Sequence, residues 1–142
     1  MWSRKMLVAY DGSAPSHKAL DIAADIAEKD PSIGIVLVHV VRLFSSGAAA
    51  AGIDTVVMDE AATVKDELDA LAASLPNCAA VRILKGSSPA ALILDCAEEE
   101  DVDLIIMGSR GKGGVKGYLG SVSYAVVKDS PVTVMIAKEG GA

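Results

Sequence analysis

Along the chain, short runs rich in Val, Ile and Leu alternate with longer stretches in which apolar residues return every three or four positions. Short runs bounded by turn and cap residues read as strands, and the longer periodic stretches as helices burying one face. Five strands are predicted: Lys5 to Tyr10, Ile33 to Val41, Ala80 to Leu84, Asp103 to Gly108 and Val132 to Ala137. Ser13 with Pro15 opens a helix reaching about Lys29, whose apolar residues are Ala19, Ile22, Ala23, Ile26 and Ala27. A second helix carries the stripe Val57, Ala61, Val64, Leu68, Leu71 and Leu75. Ser87 or Ser88, followed by Pro89, starts a third, and its terminal acidic run Glu98 to Asp101 reads as a solvated face without chemistry. Successive βαβ units of this kind predict an α/β fold with a mostly parallel sheet covered on both faces. Ser45 to Gly52, with four consecutive alanines, is a low-complexity connection between the second strand and the second helix.

Composition narrows the class without changing the pattern. At 142 residues the expectation is one domain, 1–142, and 51% apolar with 23% charged residues is a globular balance. The mean hydropathy is positive, yet the longest apolar run, Ile33 to Val41, is about half a membrane-spanning helix and is broken by Gly34 and His39. Membrane insertion is therefore not expected. The opening Met1-Trp-Ser-Arg-Lys runs straight into a strand without the small-residue cleavage site of a secretory signal, so a cytoplasmic protein is expected. Cys78 and Cys96 stand singly, as reduced thiols rather than zinc ligands or a disulfide framework. A net charge of −6 argues against nucleic acid as the partner.

In open α/β sheets ligands bind beyond the carboxyl ends of the strands, which directs attention to Asp11, the segment after Val40, Gly86, and Gly108 onward. From Gly108 to Ser121, six of fourteen residues are glycine. Glycines let backbone amides approach an anion, and the following helix start adds free N–H groups with partial positive charge. No acidic residue lies between Asp103 and Asp129, while Arg110, Lys112 and Lys116 fall within the segment. A phosphate fits this composition; a connection that is merely basic and glycine-rich is the alternative it leaves open. Neither G-x-x-x-x-G-K-[ST] nor G-x-G-x-x-G after the first strand is present, which excludes the P-loop and dinucleotide readings. At the end of the first strand, the Asp11 carboxylate could accept hydrogen bonds from an adenine amino group or a ribose hydroxyl, or instead close an Asx turn with Gly12. The third strand ends Leu84-Lys85-Gly86, without the Asp of a phospho-acceptor receiver domain. His17 and His39 have no nucleophile at motif spacing and read as satisfied structural histidines. Gly86-Ser-Ser-Pro reads as a tight turn and helix cap.

The stretches Val8-Ala-Tyr-Asp-Gly-Ser, Val38-His-Val, Lys85-Gly-Ser-Ser-Pro-Ala, Asp103-Leu-Ile-Ile-Met-Gly-Ser-Arg-Gly, Leu119-Gly-Ser-Val-Ser and Ser130-Pro-Val-Thr-Val-Met-Ile, in this order, resemble the universal stress protein family over practically the whole chain. The resemblance implies a doubly wound, Rossmann-like fold with five parallel strands in the order 3-2-1-4-5, and an ATP-binding subclass marked by G-x-x-G, nine residues, then G-[ST]. By the same resemblance Ala9, Asp11 and Val40 surround adenine and ribose, Met107 and Gly108 touch the ribose, and Gly111, Gly120, Ser121 and Val122 hold the phosphates. This chain has eight residues, Lys112 to Leu119, where the pattern has nine. The resemblance also implies a homodimer joined through the last strand, Val132 to Ala137, an edge whose amides need a partner.

The function expected is that of a regulatory stress-response protein binding ATP, or alternatively AMP or ADP, and acting as a homodimer on a further protein partner the sequence does not identify. No general base accompanies the expected phosphates, so no catalytic residue is assigned and hydrolysis is expected to be slow or absent. One alternative is a slow Mg²⁺-dependent ATPase or phosphotransferase using Ser121, with Lys112 or Arg110 stabilising charge. Another is a dimeric module that no longer binds nucleotide because of the shortened loop.

Overall fold

A computed structural model describes residues 4–42, 63–110 and 119–138. The elements, in chain order, are β1 (Lys5–Ala9), α1 (Ala14–Lys29), β2 (Gly34–Arg42), α2 (helical over 63–74), β3 (Cys78–Gly86), α3 (Pro89–Glu99), β4 (Leu104–Gly108), α4 (Ser121–Asp129) and β5 (Thr133–Ala137). All pairings are parallel and the strand order is β3-β2-β1-β4-β5, as the family resemblance implies. The Ser45 to Gly52 connection and the Val57 and Ala61 part of the predicted helical stripe lie outside the described residues.

Local chemistry accounts for the helix ends. Ser13 caps α1, its Oγ accepting the Ser16 N–H at 3.3 Å, with Pro15 in the first turn where no amide is missed. At the far end of α3, Asp101 adopts φ 54° and the Val102 N–H returns to the Ala97 carbonyl at 3.0 Å, the six-to-one bond of a Schellman closure. β3 begins earlier and ends later than its apolar run suggests. Paired with β2 alone, it is an edge strand whose partly exposed positions admit Arg82 and Lys85, so hydrophobicity understates its length.

The sheet buries both faces by strict alternation. Met6 and Val8, Ile35 and Leu37, and Leu104 and Ile106 face α1 and α2, where Ala19, Ala23, Ala27 and Leu68 meet them. Leu7, Val36, Val38, Ile105 and Met107 face the opposite side, against Ile93, Cys96 and Ala97 of α3 and Val126 of α4. Full burial of one such Ile or Leu side chain stabilises the fold by about 1.5–3 kcal/mol, so the central strands β2, β1 and β4 form the rigid floor. Among the described residues no helix is long and apolar enough to cross a membrane.

The acidic run that closes α3 is exposed at Glu98, Glu99 and Asp101, as expected of a solvated face, but it is also ion-paired. Glu99 and Glu100 accept hydrogen bonds from the Arg82 guanidinium at 2.9 and 3.0 Å, Glu100 also pairs with Lys5 at 3.1 Å, and Asp101 pairs with Arg4 at 3.3 Å. These partners come from β1, the residue just before it and β3, which local sequence could not place beside α3. Hydrogen bonds from Lys5 and then Arg82 hold the Glu100 carboxyl below its usual range. A depressed carboxyl contributes stability that is fully present above the unfolded value of about 4.3 and is lost as pH falls through the folded one. Glu100→Gln is therefore expected to lower stability by about 1 kcal/mol near neutrality, the half-exposed Arg82 limiting the effect. Denaturant titrations of both proteins should draw together as pH falls below about 4.3 and converge once it has passed the lowered folded value; a gap that persists in strong acid would assign the loss to packing instead.

Candidate functional site

The carboxyl ends of β1 and β4 and the starts of α1 and α4 meet at one end of the sheet. Beyond β1, the Tyr10 N–H donates to the Val38 carbonyl at 2.8 Å and so prolongs the pairing with β2 by one bond. Gly12 then takes φ 84°, a left-handed conformation suited to glycine. Asp11 Oδ1 accepts the Ser13 N–H at 2.9 Å, closing an Asx turn. The buried Ser16 hydroxyl donates to the Ser13 carbonyl at 2.9 Å and accepts the Asp11 N–H at 3.3 Å. Asp11 thus makes the turn that local sequence allows, just beyond the carboxyl end of β1.

Gly108 is where β4 touches the start of α1. A Cβ built there would lie 2.7 Å from Pro15 Cβ, 2.8 Å from its carbonyl carbon and 2.9 Å from the Ser16 nitrogen. Only glycine permits this approach, which sets the distance between the Asp11 turn and the end of β4. On the other side, buried Ser123 of α4 donates its hydroxyl to the Gly108 carbonyl at 2.7 Å. Ser109 N–H donates to the Ala137 carbonyl at 2.8 Å, and Gly120 N–H to the Ser109 carbonyl at 2.7 Å. The two ends of the glycine-rich segment are therefore fastened together.

Gly120 is the N-cap of α4, and among the described residues no side chain caps the helix. The first-turn amides accordingly lack the internal acceptor that a Ser, Thr or Asp cap supplies, which is the arrangement that receives an anion. Ser121 is exposed and Val122 packs on the core beneath. Arg110, half-buried, approaches this cap: a Cβ on Gly120 would lie 3.1 Å from Arg110 Cα. Gly111, Lys112 and Lys116 lie outside the described residues.

Ala9, Val40 and Met107 all belong to the face covered by α3 and α4. They sit at the carboxyl ends of β1, β2 and β4, three neighbouring strands, and form an apolar wall, with Ala9 and Val40 only partly covered. Of the residues expected at the site, Asp11, Gly108 and Gly120 are linked through the contacts above, Ser121 and Val122 follow Gly120 in the first turn of α4, and Ala9, Val40 and Met107 line the adjoining sheet face. Sequence reasoning missed Ser16 and Ser123, whose hydroxyls fasten backbone within the site; isolated serines in helices carry no spacing signal. It also left His39 as merely satisfied. Its Nδ1 lies 2.8 Å from the Tyr10 carbonyl oxygen, and the Tyr10 hydroxyl lies 3.1 Å from His17 Nε2. Burial, then the charges of Glu67 and Asp11, push the Tyr10 phenol above its usual value. Among the described residues no cluster of His, Cys, Asp and Glu is arranged to hold a metal ion.

Comparison with known proteins follows the same lines. The model of the universal stress protein family matches residues 3–138. The universal stress protein YxiE of Bacillus subtilis is 36% identical over 146 positions, which cover 94% of this chain and 98% of that one. Universal stress protein UspA from Lactobacillus plantarum superposes with a TM-score of 0.81 at 23% identity, over 94% of this chain and 96% of its own. A universal stress protein family protein from Arabidopsis thaliana, solved with AMP bound, superposes with a TM-score of 0.68 at 19% identity, over 96% and 92% of the two chains.

Proposed function

The chain belongs to the universal stress protein family, and from that premise we propose that it is a regulatory stress-response protein that binds an adenine nucleotide, ATP foremost, with little or no hydrolysis. The observation that carries this reading is the side-chain-free N-cap of α4 at Gly120, fastened through Ser109 to the end of β4 and through Gly108 to the Asp11 turn. In this reading the adenosine lies across the apolar wall of Ala9, Val40 and Met107, and the Asp11 carboxylate accepts from the base or sugar. Met107 and Gly108 border the ribose. The phosphates run toward Gly111, Gly120, Ser121 and Val122, where helix amides meet them. The AMP described in the Arabidopsis protein of the same fold supports an adenine ligand.

Slow turnover is supported by composition, since no acid lies between Asp103 and Asp129 and the glycine-rich segment itself therefore offers no carboxylate base. A homodimer is supported by the edge position of β5, whose outer amides have no neighbouring strand among the described residues. Beside it, Tyr124 and Val127 of α4 are 58% and 45% exposed. Such a dimer, residing in the cytoplasm, would signal by nucleotide-dependent contact with a further protein.

Calorimetric titration of ATP, AMP and GTP into the wild-type protein and Gly120→Val tests this. ATP is expected to bind more tightly than either AMP or GTP. The valine, crowding Arg110 and the start of α4, should weaken ATP by about tenfold, 1.4 kcal/mol, and AMP by less. Equal affinities for the three nucleotides, or no binding, would remove the reading.

A further inference from the structure

In the run Ile35 to Val41 of β2, His39 is the one polar residue. Its half-buried ring reaches across to the next strand, placing Nδ1 2.8 Å from the Tyr10 carbonyl oxygen. A carbonyl only accepts, so Nδ1 carries the hydrogen. The Tyr10 carbonyl and the Asp11 N–H are the two ends of one peptide plane. His39 holds the first, and the Ser16 hydroxyl, at 3.3 Å, holds the second. The Tyr10 N–H is already committed to the Val38 carbonyl at 2.8 Å. The strand ladder stops there, and the next residue but one, Gly12, is in the left-handed region with a glycine's freedom. The peptide plane that aims Asp11 is thus fixed at its carbonyl end by a side chain from a different strand.

We propose that His39 is a positioning residue for nucleotide recognition: by fixing the Tyr10–Asp11 peptide plane it sets the direction in which the Asp11 carboxylate meets the adenosine. This rests on the nucleotide reading given above. A carboxylate must be placed within a fraction of an ångström to accept well-aligned hydrogen bonds, and misdirection weakens binding while leaving the fold in place. His39 need not touch the ligand to act.

The test is a cycle of titrations with ATP on folded, purified proteins: wild type, His39→Phe, His39→Asn, Asp11→Asn, and His39→Phe with Asp11→Asn. Asn at position 11 keeps the oxygen that accepts from Ser13 and removes the charge. His39→Phe is expected to lose about tenfold in affinity. His39→Asn, whose side-chain amide presents a donor near the former Nδ1, should recover most of it. In the Asp11→Asn background the Phe substitution should have no further effect, because the residue it positions has already lost its charge. The ¹⁵N shifts of the wild-type histidine should report a proton on Nδ1. Should His39→Phe fail to fold, His39→Leu takes its place in the cycle. Unchanged affinity in His39→Phe, equal losses in both Asp11 backgrounds, or a ring protonated at Nε2 alone would overturn the inference while leaving nucleotide binding standing. An Asp11→Asn variant that binds like wild type would likewise overturn this inference alone, whereas a wild-type protein that does not bind ATP would take down the nucleotide reading and this inference with it.

Discussion

Gly108→Ala is expected to lower stability by about 2–3 kcal/mol, an overpacking cost, and the melting midpoint by about 6–12 °C. The added methyl would enter the space of Pro15 and the Ser16 backbone nitrogen at 2.7–2.9 Å. Neither neighbour can give way cheaply. Pro15 is ring-locked in the first turn of α1, and the Ser16 N–H is held by the Ser13 cap. The strand side is equally fixed, because β4 is buried throughout and the Gly108 carbonyl accepts from Ser123. The clash must be relieved by moving α1 away from β4, which opens the floor of the site, so weaker ATP binding should accompany the loss of stability. Gly86→Ala serves as the comparison. Its methyl would meet Leu92 Cδ1 at 2.8 Å, the far end of a flexible side chain, and the expected loss is under about 1 kcal/mol. Denaturant unfolding of the two variants checks the ordering; equal stabilities would mean that the α1–β4 contact is looser than it looks.

The second large effect falls on binding. Asp11→Ala is expected to weaken ATP and AMP alike, by about thirtyfold or 2 kcal/mol, the scale of a lost hydrogen bond to a charged group. The parallel loss is the informative part. Asp11 stands at the end of β1, on the opposite side of Gly108 from the α4 cap, so it acts on the portion of the ligand that both nucleotides share. Gly120→Val acts at the phosphate end and should separate them. Some of the Asp11→Ala effect will come from the turn, since Oδ1 accepts the Ser13 N–H; Asp11→Asn, which keeps that bond, measures the share due to charge. A titration in which Asp11→Ala spared AMP and weakened only ATP would place the carboxylate at the wrong end of the ligand.

Much of the architecture was legible because burial leaves a local trace. A strand covered on both faces needs apolar residues in succession, and an amphipathic helix repeats them at helical spacing. β1, β2, β4 and β5 and the start of α1 therefore emerged close to their observed limits. β3 did not, since an edge strand tolerates Arg82 and Lys85 at exposed positions. The strand order came from the family resemblance rather than from the pattern, because nothing local to Leu104–Gly108 says that it will pair with Lys5–Ala9.

The chain by itself, then, determines the βα alternation, the turn chemistry at Asp11-Gly12-Ser13, the cap residues, and an acid-free glycine-rich segment after the fourth strand. These depend on neighbours a few positions apart, whose steric and hydrogen-bonding preferences act wherever the segment is placed. Tertiary structure alone decides that Gly108 must meet Pro15, that Ala9, Val40 and Met107 share one sheet face, that Arg82 and Lys5 neutralise Glu100, and that His39 reaches the Tyr10 carbonyl. Each joins residues remote in sequence, and each becomes favourable only after the whole sheet has met the entropic cost of bringing those segments together.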